Sequence, residues 1–230
     1  MPVERIMRDY RINKIFEGSS EIMHLFMARE AVDRHLQVAG AIIDPEKPLG
    51  AKLAALPTIA AFYAWWYPSR WLGWGRWPRY SAFGALATHL RFVERSCRKL
   101  ARENFHGMAV YQGRLQSKQA FLFRLVDVAN ELFAMAASVT RAQAMADARS
   151  PQAAEATAMA DIFCRSSHRK VTRLFHELWS NDDVARYRTA LEVLSGKHTW
   201  VEAGTLGADV AAAGPARDRP REEEAVAIGR

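Results

Sequence analysis

The stretch "SKQAFLFRLVDVANELFAMAASVTRA" (residues 117–142) decides the fold class. Its large apolar residues Phe121, Leu122, Leu125, Val128, Leu132, Phe133, Met135 and Val139 return at steps of three and four, the period of a helix that buries one face. The spacing predicts a helix over about 117–147. Upstream, Phe83, Leu86, Ala87, Leu90, Val93, Cys97 and Leu100 trace a second stripe, ended or loosened by Gly107 or Gly113. Downstream, Ser150-Pro151 reads as an N-cap followed by a proline in the first turn. A third helix should then carry Met159, Ile162, Phe163, Val171, Leu174, Phe175 and Leu178 toward Trp179. Ser180-Asn181-Asp182 opens a last helix through Leu191 and Leu194, with Gly196 as its C-terminal glycine. Alternating strand patterns and internal repeats are missing from the sequence. The expected fold is all-α, an antiparallel helical bundle.

Toward the N-terminus, "RINKIFEGSSEIM" (residues 11–23) breaks a run of good helix formers at Glu17-Gly18 and restarts it at Glu21. Gly18 is the residue that easily takes a positive φ, and Ser19 or Ser20 suits an N-cap. The pattern reads helix, tight break, helix. The second helix, with Ile22, Leu25, Phe26, Val32 and Leu36 on one face, should stop near Gly40. Residues 41–80, with Pro45, Pro48, Pro57, Pro68 and Pro78, read as irregular. After about Thr205 the chain is Ala, Gly, Pro, Arg and Glu with almost no large apolar side chains, which reads as a disordered C-terminal tail over 205–230.

Half the residues are hydrophobic and a quarter charged, an ordinary globular balance. Cys97 and Cys164 lie far apart without ligand-spaced neighbours, so they read as reduced thiols rather than a disulfide or metal framework. Charges interrupt any N-terminal apolar run, so no signal peptide is read. The longest uncharged stretch, 53–69, falls short of the roughly 20 residues that span a bilayer. The net charge of +7 concentrates between Pro57 and Lys118, where ten Lys/Arg face two acids. Within that region "FYAWWYPSRWLGWGRWPRYSAF" (62–83) holds five Trp, three Tyr and three Arg. Such a mixture suits a membrane–water interface. It suits equally well the packing of aromatic rings between helices. Stacking on nucleic acid is a minor alternative, and no nucleic-acid partner is assigned. The seven histidines show no paired ligand spacing; His24 and His35 read as surface or boundary residues, and Met108, Met135, Met145 and Met159 as core filler.

"PVERIMRDYRINKIFEGSSEIMHLFMAREA" resembles the C-terminal signature of the acyl-CoA dehydrogenase family, a V-E-R-[ILM]-x-R-D-x-[RK]-I run leading into I-[FY]-E-G-[ST]-x-E-I. The resemblance covers nearly all of residues 2–31. It implies that Glu17 is the catalytic base, with Phe16 and Gly18 toward the substrate and Ser19, Ser20 and Glu21 toward FAD; Ser19-Ser20 replace a frequent Thr-Asn. Arg5, Arg8, Asp9 and Arg11 belong to the same signature and read as ion pairs. "SKQAFLFRLVDVANELFAMAASVTRA" and "DVARYRTALEVL" are similar to the extra helical domain of the very-long-chain type, over roughly residues 85–204.

The resemblance implies α,β-dehydrogenation of a long-chain fatty acyl-CoA, electron transfer to an electron-transfer flavoprotein, and a homodimer. It also links segment 62–83 to peripheral membrane contact, and bacterial cytoplasm is the expected location. The implied organisation is 1–40 as the end of the dehydrogenase helical domain, 41–80 as a linker, 81–204 as the appended domain and 205–230 as the tail. The chain opens with the signature already under way, so it reads as a C-terminal fragment expected to be inactive alone. The rival reading is a non-catalytic helical module for membrane or protein contact.

Overall fold

A computed structural model describes residues 3–16, 18–44, 46–72 and 79–201. Helices account for the regular structure, and no strand occurs among the described residues. The chain divides into two units, residues 1–179 and 180–230.

In the first unit a short helix α1 (Val3–Arg11) runs into a 3-10 turn (Ile12–Lys14). Arg8 pairs with Glu4 at 2.7 Å and Arg5 with Asp9 at 3.7 Å, exposed i,i+4 bridges of the kind read from the signature. Helix α2 (Ser20–Ile43) follows the break. It passes Gly40 and ends where Asp44 caps it, the residue before Pro45.

The expectation of irregular structure over 41–80 is corrected: Leu49–Leu72 form α3, a helix of 24 residues with Pro57 and Pro68 inside it. Propensity explains part of this, since six alanines between Ala51 and Ala64 favour the helix. Packing supplies the rest. Tyr63 and Trp66 seat their rings against His35 of α2 and against Phe105, and the Ser69 hydroxyl donates to the Trp66 carbonyl. The tertiary contacts outweigh the proline penalty.

Tyr80, in the left-handed region at φ 53, leads into a 3-10 turn (Ser81–Leu86) and then α4 (Ala87–Tyr111). Gly107 neither ends nor loosens α4. It lies buried within the helix, where the Phe121 ring packs so closely that a Cβ would collide with it. The 117–147 reading stands as α5 (Gln119–Asp147). The Ser150-Pro151 start is displaced, because Ser150 Oγ accepts from the Gln152 amide in a turn and α6 begins later, spanning Ala153–Glu177.

Helices α5 and α6 make the largest interface. Val128, Leu132, Met135 and Val139 meet Ala160, Cys164, Val171, Leu174 and Phe175, and Leu178 is fully buried beside them. Glu131 bonded to Lys170, and Cys164 Sγ over the Met135 carbonyl, set the two helices antiparallel. On α5 and α6 four residues expected in the core lie outside it, since Phe133, Met159, Ile162 and Phe163 are exposed; Cys97 of the α4 stripe is exposed as well, and of the four methionines read as filler Met135 alone is fully buried. The periodicity of α5 and α6 is wide enough to fit more than one stripe, and the faces they turn to each other, with α4 against α5, are the ones buried.

In the second unit α7 (Asp183–Leu194) ends as the sequence predicts. Gly196 sits at φ +80, its amide bonds Val193 O and the Lys197 amide bonds Glu192 O, the paired bonds of a Schellman cap. The tail expected over 205–230 lies outside the described residues.

Candidate functional site: the glutamate turn

The break between α1 and α2 has the geometry its residues dictate. Gly18 takes φ +114, a conformation that a Cβ makes costly, and a side chain there would also meet Met23 Sδ at 3.3 Å. Ser19, at φ −58 and ψ 159, is the N-cap of α2, and its hydroxyl accepts from the Ile22 amide at 3.4 Å. Ser20 opens the helix. Glu21 is held below the usual carboxylate range by its own backbone N–H and by the Ser19 hydroxyl. With the Ile22 amide spent on Ser19 and the Glu21 carboxylate drawn to its own N–H, two donors of the helix start are already engaged. Glu17 itself lies outside the described residues.

The apolar side chains around this turn lie in solvent: Ile15, Phe16, Ile22 and Phe26 are exposed, Ile15 at 82%. So are Val3, Ile6, Met7 and Tyr10, which form one helical stripe on α1.

Three histidine contacts escaped the sequence reading. His24, one turn into α2, faces the Ser20 carbonyl oxygen with Nδ1 at 2.6 Å and Asp127 Oδ1 of α5 with Nε2 at 3.0 Å. His35 is buried, not at the surface; its Nδ1 meets the Tyr63 hydroxyl at 3.0 Å, Trp66 stands edge-on to its ring, and burial lowers its pKa. Asp161 accepts from His89 Nε2 at 2.8 Å, and His89 Nδ1 meets His168 Nε2 at 3.2 Å. Asp161 is held low by the His89 bond first, and His168 is lowered by burial and by His89 and Arg95. The side-chain partners in these contacts lie 28 to 103 residues apart, so no local signal could have found them.

No group of three metal-ligating side chains occurs among the described residues. An apolar groove of about 270 Å³ opens between α2, α4 and α5, lined by Met27, Ala28, Leu122 and Leu125. The Cys97 thiol on its edge is pushed up by burial and by Glu94, which makes it a poor nucleophile.

The aromatic segment splits. Tyr63, Trp66 and Tyr67 pack between α2 and α4, with Tyr67 hydroxyl 3.0 Å from His106 Nε2. Trp65 and Trp71 are more than half exposed, Trp71 under the Arg102 guanidinium at 3.8 Å. Trp74 and Trp77 lie outside the described residues.

Residues 1–32 match the model of the acyl-CoA dehydrogenase C-terminal domain, and residues 88–197 that of the ACAD9/ACADV C-terminal domain. The chain belongs to the acyl-CoA dehydrogenase family, in its C-terminal part. Among curated proteins it is 51% identical over 207 residues to the probable acyl-CoA dehydrogenase FadE10 of Mycobacterium bovis, and equally to its counterparts in two strains of Mycobacterium tuberculosis. The alignment takes in 90% of this chain and 32% of those relatives, so the chain spans about a third of their length.

Proposed function

We propose that this chain supplies the catalytic turn and the appended helical domain of an FAD-dependent acyl-CoA dehydrogenase that converts long-chain fatty acyl-CoA to trans-2-enoyl-CoA. The observation that carries the reading is the E-G-S-S-E turn, in which Gly18 at positive φ and the Ser19 cap fix how the chain enters α2. In this reading the Glu17 carboxylate removes the α-proton of the thioester, and its own backbone N–H donates to the thioester oxygen as charge develops there. A preorganised donor of that kind is worth a few kcal/mol. Phe16 and Gly18 border the substrate; exposed Phe16 is available for that contact.

FAD, when bound, supplies the hydride acceptor. The residues present fit it in part. The hydroxyl-bearing helix start at Ser19-Ser20 and the exposed Ile22 suit a polar cofactor edge and an apolar ring. Glu21, held ionised at the same helix start, suits a donor-bearing group of the cofactor. The uncovered stripe of Val3, Ile6, Met7 and Tyr10 supports a covering surface from the rest of a longer enzyme or from a second copy in a homodimer.

The division at 1–40, 41–80 and 81–204 is part of the same proposal, supported by family matches that end at 32 and resume at 88. Electron-transfer flavoprotein is the proposed electron acceptor, and bacterial cytoplasm the proposed compartment. None of the described helices is long and apolar enough to cross a membrane. Peripheral contact through 62–83 is favoured by exposed Trp65 and Trp71 and by exposed Leu49, Leu53 and Leu56 at helical spacing on the same helix. The test of the dehydrogenase reading is to express the gene with its upstream reading frame and record the flavin spectrum with and without acyl-CoA. Bleaching of a bound flavin is expected; a colourless product overturns the reading. Membrane contact is read from binding to anionic vesicles, where changing Trp65 and Trp71 to Ala should weaken binding severalfold without unfolding the chain.

A further inference from the structure

His24 stands where two acceptors converge and no donor does. One ring nitrogen faces the carbonyl oxygen of Ser20, the first residue of α2, at 2.6 Å; the other faces Asp127 Oδ1 of α5 at 3.0 Å. A neutral imidazole carries one N–H and one lone pair, so it satisfies one of these contacts and sets lone pair against lone pair at the other. Only the doubly protonated ring donates to both. The ring also rests on Phe123 at 5.1 Å and is mostly buried, with 22% of the side chain exposed.

We propose that His24, donating from both ring nitrogens, is a positioning residue that clamps the start of α2, and with it the glutamate turn, onto α5 of the appended helical domain. The clamp lies three residues beyond Glu21 and binds the carbonyl of the residue that follows the Ser19 cap. It therefore fixes the C-terminal side of the turn, while Gly18 and Ser19 fix its shape. That the clamp serves dehydrogenation rests on the role proposed above for Glu17; the clamp itself does not.

The charged groups facing His24 are Glu21 on its own helix and Asp127 on α5. Burial opposes the imidazolium, but the bonds to Asp127 and to Ser20 outweigh it and raise the pKa. A raised pKa in the folded chain gives a contribution fully present below the ordinary value of about 6.5 and lost as pH climbs through the raised value. The start of α2 should accordingly loosen on the alkaline side.

The experiment uses the 230-residue chain. Nitrogen-15 NMR of the imidazole reads the protonation of His24, and amide hydrogen exchange, corrected for its intrinsic pH dependence, reads protection over residues 21–27. In the wild type both ring nitrogens should be protonated below pH 6, the titration should lie above the ordinary value of about 6.5, and protection should fall severalfold as the ring titrates. Asp127→Asn should lower the titration and abolish the change in protection. His24→Arg, a permanent cation, should keep the start of α2 protected at every pH, an outcome that a packing role for the ring does not give. A His24 ring that titrates at or below the ordinary value of about 6.5, or protection unchanged by both Asp127→Asn and His24→Gln, overturns the clamp. Because none of these readouts involves turnover, a failed Glu17 assay and a failed clamp are told apart.

Discussion

At the residue scale, local chemistry was legible and distant chemistry was not. Gly18 and Ser19 could be read because a positive φ and an N-cap are decided within four residues. Gly18→Ala forces a Cβ into that backbone conformation and against Met23, and is expected to cost about 1–2 kcal/mol, read as a lower urea midpoint at unchanged slope. His35 could not be read, since its burial depends on Tyr63, Trp66 and Phe105, from two other helices. Its lowered pKa means that the unfolded chain takes up a proton first. Stability should therefore fall as pH drops below about 6.5, with His168 acting in the same direction. The gain from His24 runs the other way over the same range, so the test is a comparison: between pH 7.5 and 5.5 the urea midpoint of His35→Gln should fall less, or rise more, than that of the wild type. The depressed carboxyls Glu131 and Asp161 add a further loss that begins at about pH 4.5, the ordinary carboxylate range.

At the element scale, the helices around the core followed their periodicity, and the surprises came where tertiary contacts outvoted a local signal. The prolines of α3 argued for irregular chain, yet aromatic packing on α2 and α4 holds it helical. The start of α6 moved because Ser150 serves the turn after α5 instead of a cap. That turn is a Schellman cap built on a non-glycine: Arg149 has φ +50, its amide bonds Ala146 O and the Ser150 amide bonds Met145 O. Arg149→Gly should stabilise the chain by up to about 1 kcal/mol, visible as a rise in Tm of a few degrees. Gly107→Ala should do the reverse. The new methyl meets the buried Phe121 ring, itself wedged against Tyr111 and Trp179, and overpacking of that kind costs about 1–3 kcal/mol.

At the scale of the whole molecule, the all-α class was readable from spacing alone, whereas the choice of buried stripe was not. Leu178, fully buried at the end of the α5–α6 pair, is the plainest core test; Leu178→Ala should lose about 2–5 kcal/mol by calorimetry or urea. Apolar residues of α1 and of the turn lie uncovered, and the relatives extend over three times the length of this stretch. The measurement that tests the central claim most directly is made on the gene product carrying its upstream reading frame, comparing wild type with Glu17→Gln by flavin absorbance. The account predicts that both proteins bind flavin, that palmitoyl-CoA bleaches the wild type, and that the variant stays coloured because no base takes the α-proton. Bleaching of Glu17→Gln at the wild-type rate would contradict it.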